Sequence, residues 1–162
     1  SGLRAGRYAL DAADLAAAAA AEGRWQAMPP RISLDLAERA GAGLVALPDD
    51  RHAAAWREAT TGAEVTQVTL LYDRPDEATA LLRGRAVGLL ADHFGLAVEP
   101  AALDGADEAS TWRGPEWRAA SARRGGVVVF VAALGGAAPD PLALAGRAMA
   151  AVAAAPPETA TP

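Results

Sequence analysis

The side chains able to do chemistry in this chain are few and scattered. His52 and His93 are the only histidines, each beside acids: Asp49 and Asp50 for the first, Asp92 for the second. A metal or acid-base centre needs convergent ligands at helical or hairpin spacing, and neither histidine belongs to an HxH or HxxxH pattern. Asp104, Asp107 and Glu108 form a small acidic loop that lacks the fixed Gly and terminal Glu of a calcium-binding EF-hand, so a solvated turn is expected there. Ser110 and Thr111 have neither a G-x-S-x-G elbow around them nor a neighbouring base, and a hydroxyl without a base is inert at neutral pH. The glycines at 41 and 43, 125 and 126, and 135 and 136 match no Walker loop and no G-x-G-x-x-G turn. With Cys absent as well, there is no thiolate nucleophile, thiolate metal site or disulfide framework. The residues therefore predict a protein that is not an enzyme and holds no metal and no cofactor.

The aromatic residues suggest binding instead. Four Trp stand against two Phe and two Tyr. Core packing is expected for at least two of Trp25, Trp56, Trp112 and Trp117, but large amphipathic rings also dominate binding surfaces. Ligand pockets are mostly apolar with a few orienting polar groups. The expected ligand-binding set is Trp56, Trp112 and Trp117, with Arg113 and Arg118 as orienting groups because each neighbours one of those Trp in sequence. Strand alternation would turn each Arg to the face opposite its neighbouring Trp. Trp112 and Trp117 lie in adjacent strand-like segments and are expected to be cross-strand neighbours.

Composition bounds the partners. The formal net charge of −5 provides no general basic surface for nucleic acid or anionic membrane, since both require clustered cations. All 15 basic residues are Arg, which with the abundant Ala, Gly and Pro indicates a GC-rich genome. No stretch reaches the roughly 20 apolar residues of a membrane span, and the Ala run at 16–21 is too short and too flanked by acids to be a signal core. Ser1 in place of an initiating Met fits a processed or trimmed product. At 162 residues, one domain with a sizeable core is expected.

Periodicity sets the elements. Residues 11–22 read as a helix capped by Asp11 and stopped by Gly23, and 31–36 as a half-buried strand. Residues 41–47 admit a short strand or the end of a helix begun near Asp35. Asp49 and Asp50 start a short helix over 51–59 that sets His52 and Trp56 four residues apart on one face. A strand follows over 64–72, then a helix from Asp76 to Phe94 with Pro75 in its first turn and a stripe of Ala78, Leu82, Ala86, Leu89 and Leu90, ended by Gly95. Residues 96–98 and 109–113 read as strands, and 117–122 and 127–133 as a hairpin about Gly125 and Gly126. A last helix over 142–153 completes an α+β fold, an antiparallel sheet covered by helices in one domain over 1–155. Residues 156–162 read as a disordered Pro-rich tail.

From about residue 40 to 152 this order resembles the extracytoplasmic sensor-like domains of actinobacteria, found in secreted lipoproteins and at the outer ends of some receptor serine/threonine kinases. The residues that carry the resemblance are the strand Val-Thr-Gln-Val-Thr-Leu-Leu-Tyr at 65–72 with the Asp76-Glu77-Ala78 helix start, and Gly105-Ala106-Asp107-Glu108-Ala109, which is similar to a Gly-Asp-Glu-Ala turn with one residue inserted. The run Ala-Arg-Arg-Gly-Gly-Val-Val-Val at 122–129 is similar to the hairpin that precedes the final helix in that family, and residues 10–15 to its short Ala-Asp-Leu lead-in. The missing Cys departs from kinase sensors that carry disulfides. The resemblance implies a non-catalytic, cell-envelope-associated ligand-binding or sensing domain outside the cytoplasm, lipoprotein-like, with a small apolar or cell-envelope ligand or a protein partner. The alternative is a cytoplasmic protein-interaction or regulatory module.

Overall fold

The two most β-prone runs of the chain pair with each other along their full length. The structure, a computed structural model, describes residues 4–18, 24–30, 47–83, 88, 91–92 and 95–154. The strand expected over 31–36, nearly all of 41–47, the residues Ala86, Leu89, Leu90, His93 and Phe94, and the tail at 156–162 lie outside the described residues. Among the described residues, seven strands form one sheet: β1 (Trp25–Met28), β2 (Asp50–Glu58), β3 (Glu64–Leu71), β4 (Ala97–Ala101), β5 (Glu108–Arg113), β6 (Trp117–Arg124) and β7 (Val127–Leu134). Their spatial order is β1-β2-β3-β7-β6-β5-β4, and every neighbouring pair is antiparallel. Two meanders, β1 to β3 and β4 to β7, thus join along a central seam of β3 against β7. The helices are α1 (Ala12–Ala18), α2 (Pro75–Arg83) and α3 (Pro141–Ala154), with a 3-10 turn at Ala5–Tyr8. This is a single α+β domain, as the alternation of periods predicts.

Side-chain alternation assigns each residue to a face. One face carries Val65 of β3, Ala120 and Ala122 of β6, and Val127, Val129, Val131 and Ala133 of β7. α3 lies over it through Leu144, Ala145, Ala148 and Met149. The other carries Val68, Leu70 and Val128, and α2 covers them with Ala78, flanked by the half-buried Leu81 and Leu82. These are called the α3 face and the α2 face below.

The stretch expected as a helix over 51–59 is strand β2. Its Ala triplet and charged flanks favour helix locally, but eight rungs with β3 override propensity, and tertiary pairing routinely does so. The period is two: Asp50, Trp56 and Glu58 are buried on the α3 face while Arg51 and Arg57 are exposed. β1, over residues 25–28, is a strand that the sequence pattern did not assign. β4 runs through Pro100, which an edge strand tolerates because its outer N–H needs no partner.

Two close approaches lock the frame. Gly125, at φ +57°, makes the two-residue turn between Arg124 and Val127, a conformation that glycine adopts without steric cost. At Gly126 a Cβ would overlap the Tyr72 carbonyl oxygen, and Tyr72 N donates to Gly126 O at 2.8 Å, so only glycine lets the hairpin tip meet the end of β3. Over β2 and β3, the N-terminal segment is clipped on by buried polar side chains. Asp50 accepts from the N–H groups of Arg4 (2.9 Å) and Ala5 (2.8 Å). Gln67, 1% exposed, accepts from Leu10 N at 2.7 Å and donates to Tyr8 O at 2.9 Å. These bonds satisfy the buried carboxylate and amide, which would otherwise carry a large desolvation cost.

Candidate ligand-binding site

The sheet register divides the five expected ligand-binding residues into two groups. Arg113 and Arg118 are directly opposite on β5 and β6, in the row of Ala133, Val65 and Trp56, and so lie on the α3 face. Trp112 and Trp117 lie on the α2 face. Trp56, paired with Val65 and Ala27, is buried in the core of the α3 face, two strands beyond the seam from Arg118. The five therefore do not converge on one pocket. Each Arg is turned away from its neighbouring Trp, as alternation requires.

On the α2 face, Trp112 opposes Ala119, which puts Trp117 diagonally across from it on the next strand. The Trp112 indole N–H donates to Ser121 Oγ at 3.0 Å, and its ring meets Phe130 edge-on, with centroids 6.2 Å apart and planes at 69°. This is the favoured geometry for aromatic quadrupoles. Trp112 is buried, Trp117, Phe130, Ala119 and Ser110 are half-buried, and Val98 and Pro100 on β4 are exposed. The patch is an apolar, aromatic surface with hydroxyls at 110 and 121. Ser121 Oγ, itself buried, accepts the indole N–H and so fixes the orientation of the Trp112 ring. Sequence reasoning missed Phe130 and Ser121. Their signal was the residue parity of β6 and β7 once the two-residue turn fixes the register.

On the α3 face, Arg118 Nη2 donates to Ala138 O at 3.1 Å, in the loop that leads into α3. Arg113 is exposed.

The remaining candidates have structural partners. The acidic loop is not simply solvated: Arg123 bridges Glu108 (Nε to Oε1, 2.7 Å) and Asp107 (Nη1 to Oδ2, 3.2 Å) and donates to Gly125 O at 3.0 Å. Gly125 N in turn donates to Asp107 Oδ2 at 2.7 Å, tying the loop to the hairpin tip. His52, half-buried, packs on Gly6, where an added Cβ would lie 3.1 Å from its ring. On a strand it lies roughly 13 Å from Trp56, so the two are not the stacked helical pair expected. Among the described residues no three His, Asp or Glu gather as a metal site.

Among the described residues, two ionisations are displaced strongly. Glu58 is pulled down to about 2 by the Thr61 hydroxyl and backbone N–H and by the N–H groups of Thr60 and Arg24, which together cap the β2–β3 turn and bind it to the start of β1. Burial, with the carboxylates of Glu77 and Asp49 adding to it, pushes the Tyr72 phenol up to about 12. Neither group lies in the aromatic patch, so neither prepares an acid or base there.

No protein-family model and no curated protein matches the chain. Among solved structures it is similar to the extracellular domain of PknH from Mycobacterium tuberculosis, at 17% sequence identity and a TM-score of 0.53, over 94% of this chain and 94% of that one. At that identity the likeness is one of fold. No helix among the described residues is long and apolar enough to cross a membrane.

Proposed function

We propose that this chain is a non-catalytic ligand-binding or sensing domain that works outside the cytoplasm, in the manner of an envelope lipoprotein. The observation that carries the reading is the likeness to an extracellular domain over nearly the whole of both chains, since a match of that extent covers the complete fold and not one shared motif. It agrees with the sensor-like pattern of the sequence. The aromatic patch supports a ligand with an apolar body, taken against Trp117 and Phe130 beside the buried Trp112, with the half-buried Ser110 hydroxyl orienting it.

Two measurements test it. The natural gene product, fused behind this chain to alkaline phosphatase, should give an active reporter, because that enzyme works only after export. A silent reporter beside an active cytoplasmic one would sink the extracytoplasmic reading in favour of a cytoplasmic interaction module. Tryptophan fluorescence titrated with envelope lipids and cell-wall fragments should change saturably, and Trp117→Ala should remove most of the response. A response that survives in that variant would move the site off the α2 face.

A further inference from the structure

The last rung before the turn of the β5–β6 hairpin pairs Arg113 with Arg118. Two cationic side chains thus leave the same face from Cβ atoms about 5 Å apart, an arrangement that is destabilising when nothing lies between them. Three carboxylates are near by register or sequence, and none pairs with either Arg. Glu99 lies two residues along β4 from Ala97, the partner of Arg113, and Glu116 sits in the turn itself. Asp140 instead accepts from Leu142 N at 3.2 Å. Arg74, Arg83, Arg123 and Arg147, by contrast, each rest on a carboxylate. Arg118 is moreover held in place by the Ala138 carbonyl, which uses one of its five N–H donors and leaves the rest. The loop it touches leads into α3, whose N-terminal end is capped by Asp140, so that carboxylate is already engaged there.

We propose that the Arg113–Arg118 rung is an anion-binding site for a phosphate-type group, whose several oxygens can accept from both guanidinium forks at once. It lies on the α3 face, across the sheet from the aromatic patch, and so is a second site beyond the reading above. A phosphate ester in solution and a phospholipid headgroup present the same chemistry.

Thermal melting of the full chain at low ionic strength separates the site from general screening. Without phosphate, Arg113→Gln should melt at or above the parent, by up to roughly 1 to 2 °C, because like-charge repulsion is relieved and no intrachain bond is lost. Inorganic phosphate, compared with chloride at equal ionic strength, should raise the melting point of the parent and of the control Arg57→Gln. The same titration in Arg113→Gln should need about tenfold more phosphate. In a second arm, vesicles of phosphatidylglycerol in phosphatidylcholine are co-sedimented with parent and variants. A phosphate effect in solution assigns a soluble phosphate ester, and a dependence on Arg113 seen only with vesicles assigns the lipid headgroup. The proposal fails if Arg113→Gln matches the parent in both arms, if neither arm responds, or if the variant melts lower than the parent before any anion is added. The export reporter is independent of all these outcomes, so this site can fall while the sensing reading stands.

Discussion

The two faces of the sheet are closed by different means. The α3 face is sealed by fourteen residues of helix whose Leu144, Ala145, Ala148 and Met149 are each at most 1% exposed, and its far side is overlaid by a segment clipped through Asp50 and Gln67. Among the described residues of α2, only Ala78 is buried on the opposite face, and toward β5 and β6 that face shows half-buried aromatic rings instead of packed aliphatics. A close-packed face resists any change of volume, whereas one that ends in partly covered rings can admit another molecule without unpacking the core. The two sides of the sheet are therefore packed to different degrees, and the surface proposed for a ligand lies on the less closely covered one.

The largest expected effect lies on the packed face. Leu144→Ala, which empties a fully buried site, should cost about 3 to 5 kcal/mol in chemical denaturation. Ser121→Ala follows at about 2 kcal/mol, because it strands the buried Trp112 indole N–H with no acceptor. The half-buried Leu82 on the second face should cost only about 1 kcal/mol when truncated to Ala. If Leu82→Ala proves as damaging as Leu144→Ala, the distinction between the faces is wrong.

The smallest effect sharpens the comparison through pH. Glu58 lies on the α3 face, and its folded value near 2 lies below the ordinary 4.5, so its carboxylate stabilises the native state fully above 4.5 and that contribution fades as pH falls toward 2. Denaturation midpoints of parent and Glu58→Gln should differ at neutral pH and converge near pH 2. A gap that stays constant down to pH 2 would mean the Thr60 and Thr61 contacts are made equally well by an amide.

Much of this frame was legible in the residues. The runs at 64–72 and 127–133, the Arg-Arg-Gly-Gly tip and the Pro75 helix start each combine propensity, period and turn chemistry in one direction, and each forms as expected. β2 was hidden because its local signal, an Ala triplet between charges, points to helix and only its partner β3 makes it a strand. β1 was too short for a period to register, and Pro100 cut short the strand read at 96–98, although an edge lets β4 run through it to Ala101. The site was legible by halves. Trp112 and Trp117 share a face as neighbouring strands suggest, but the separation from Trp56 and the contact with Phe130 follow from strand order, which residue patterns do not contain.

The seam of β3 against β7 has a consequence in time. The first meander emerges during synthesis with β3, buried along all eight residues in the finished fold, waiting for a partner that begins only at Val127. Pairings so distant along the chain close slowly, and an unpaired apolar strand edge is a template for other chains. A chain cut before Val127 should accumulate as aggregate and not as half a domain. Throughout elongation the Val-Thr-Gln-Val-Thr-Leu-Leu run at 65–71 is then the segment most in need of a chaperone, until nearly the last strand has been made.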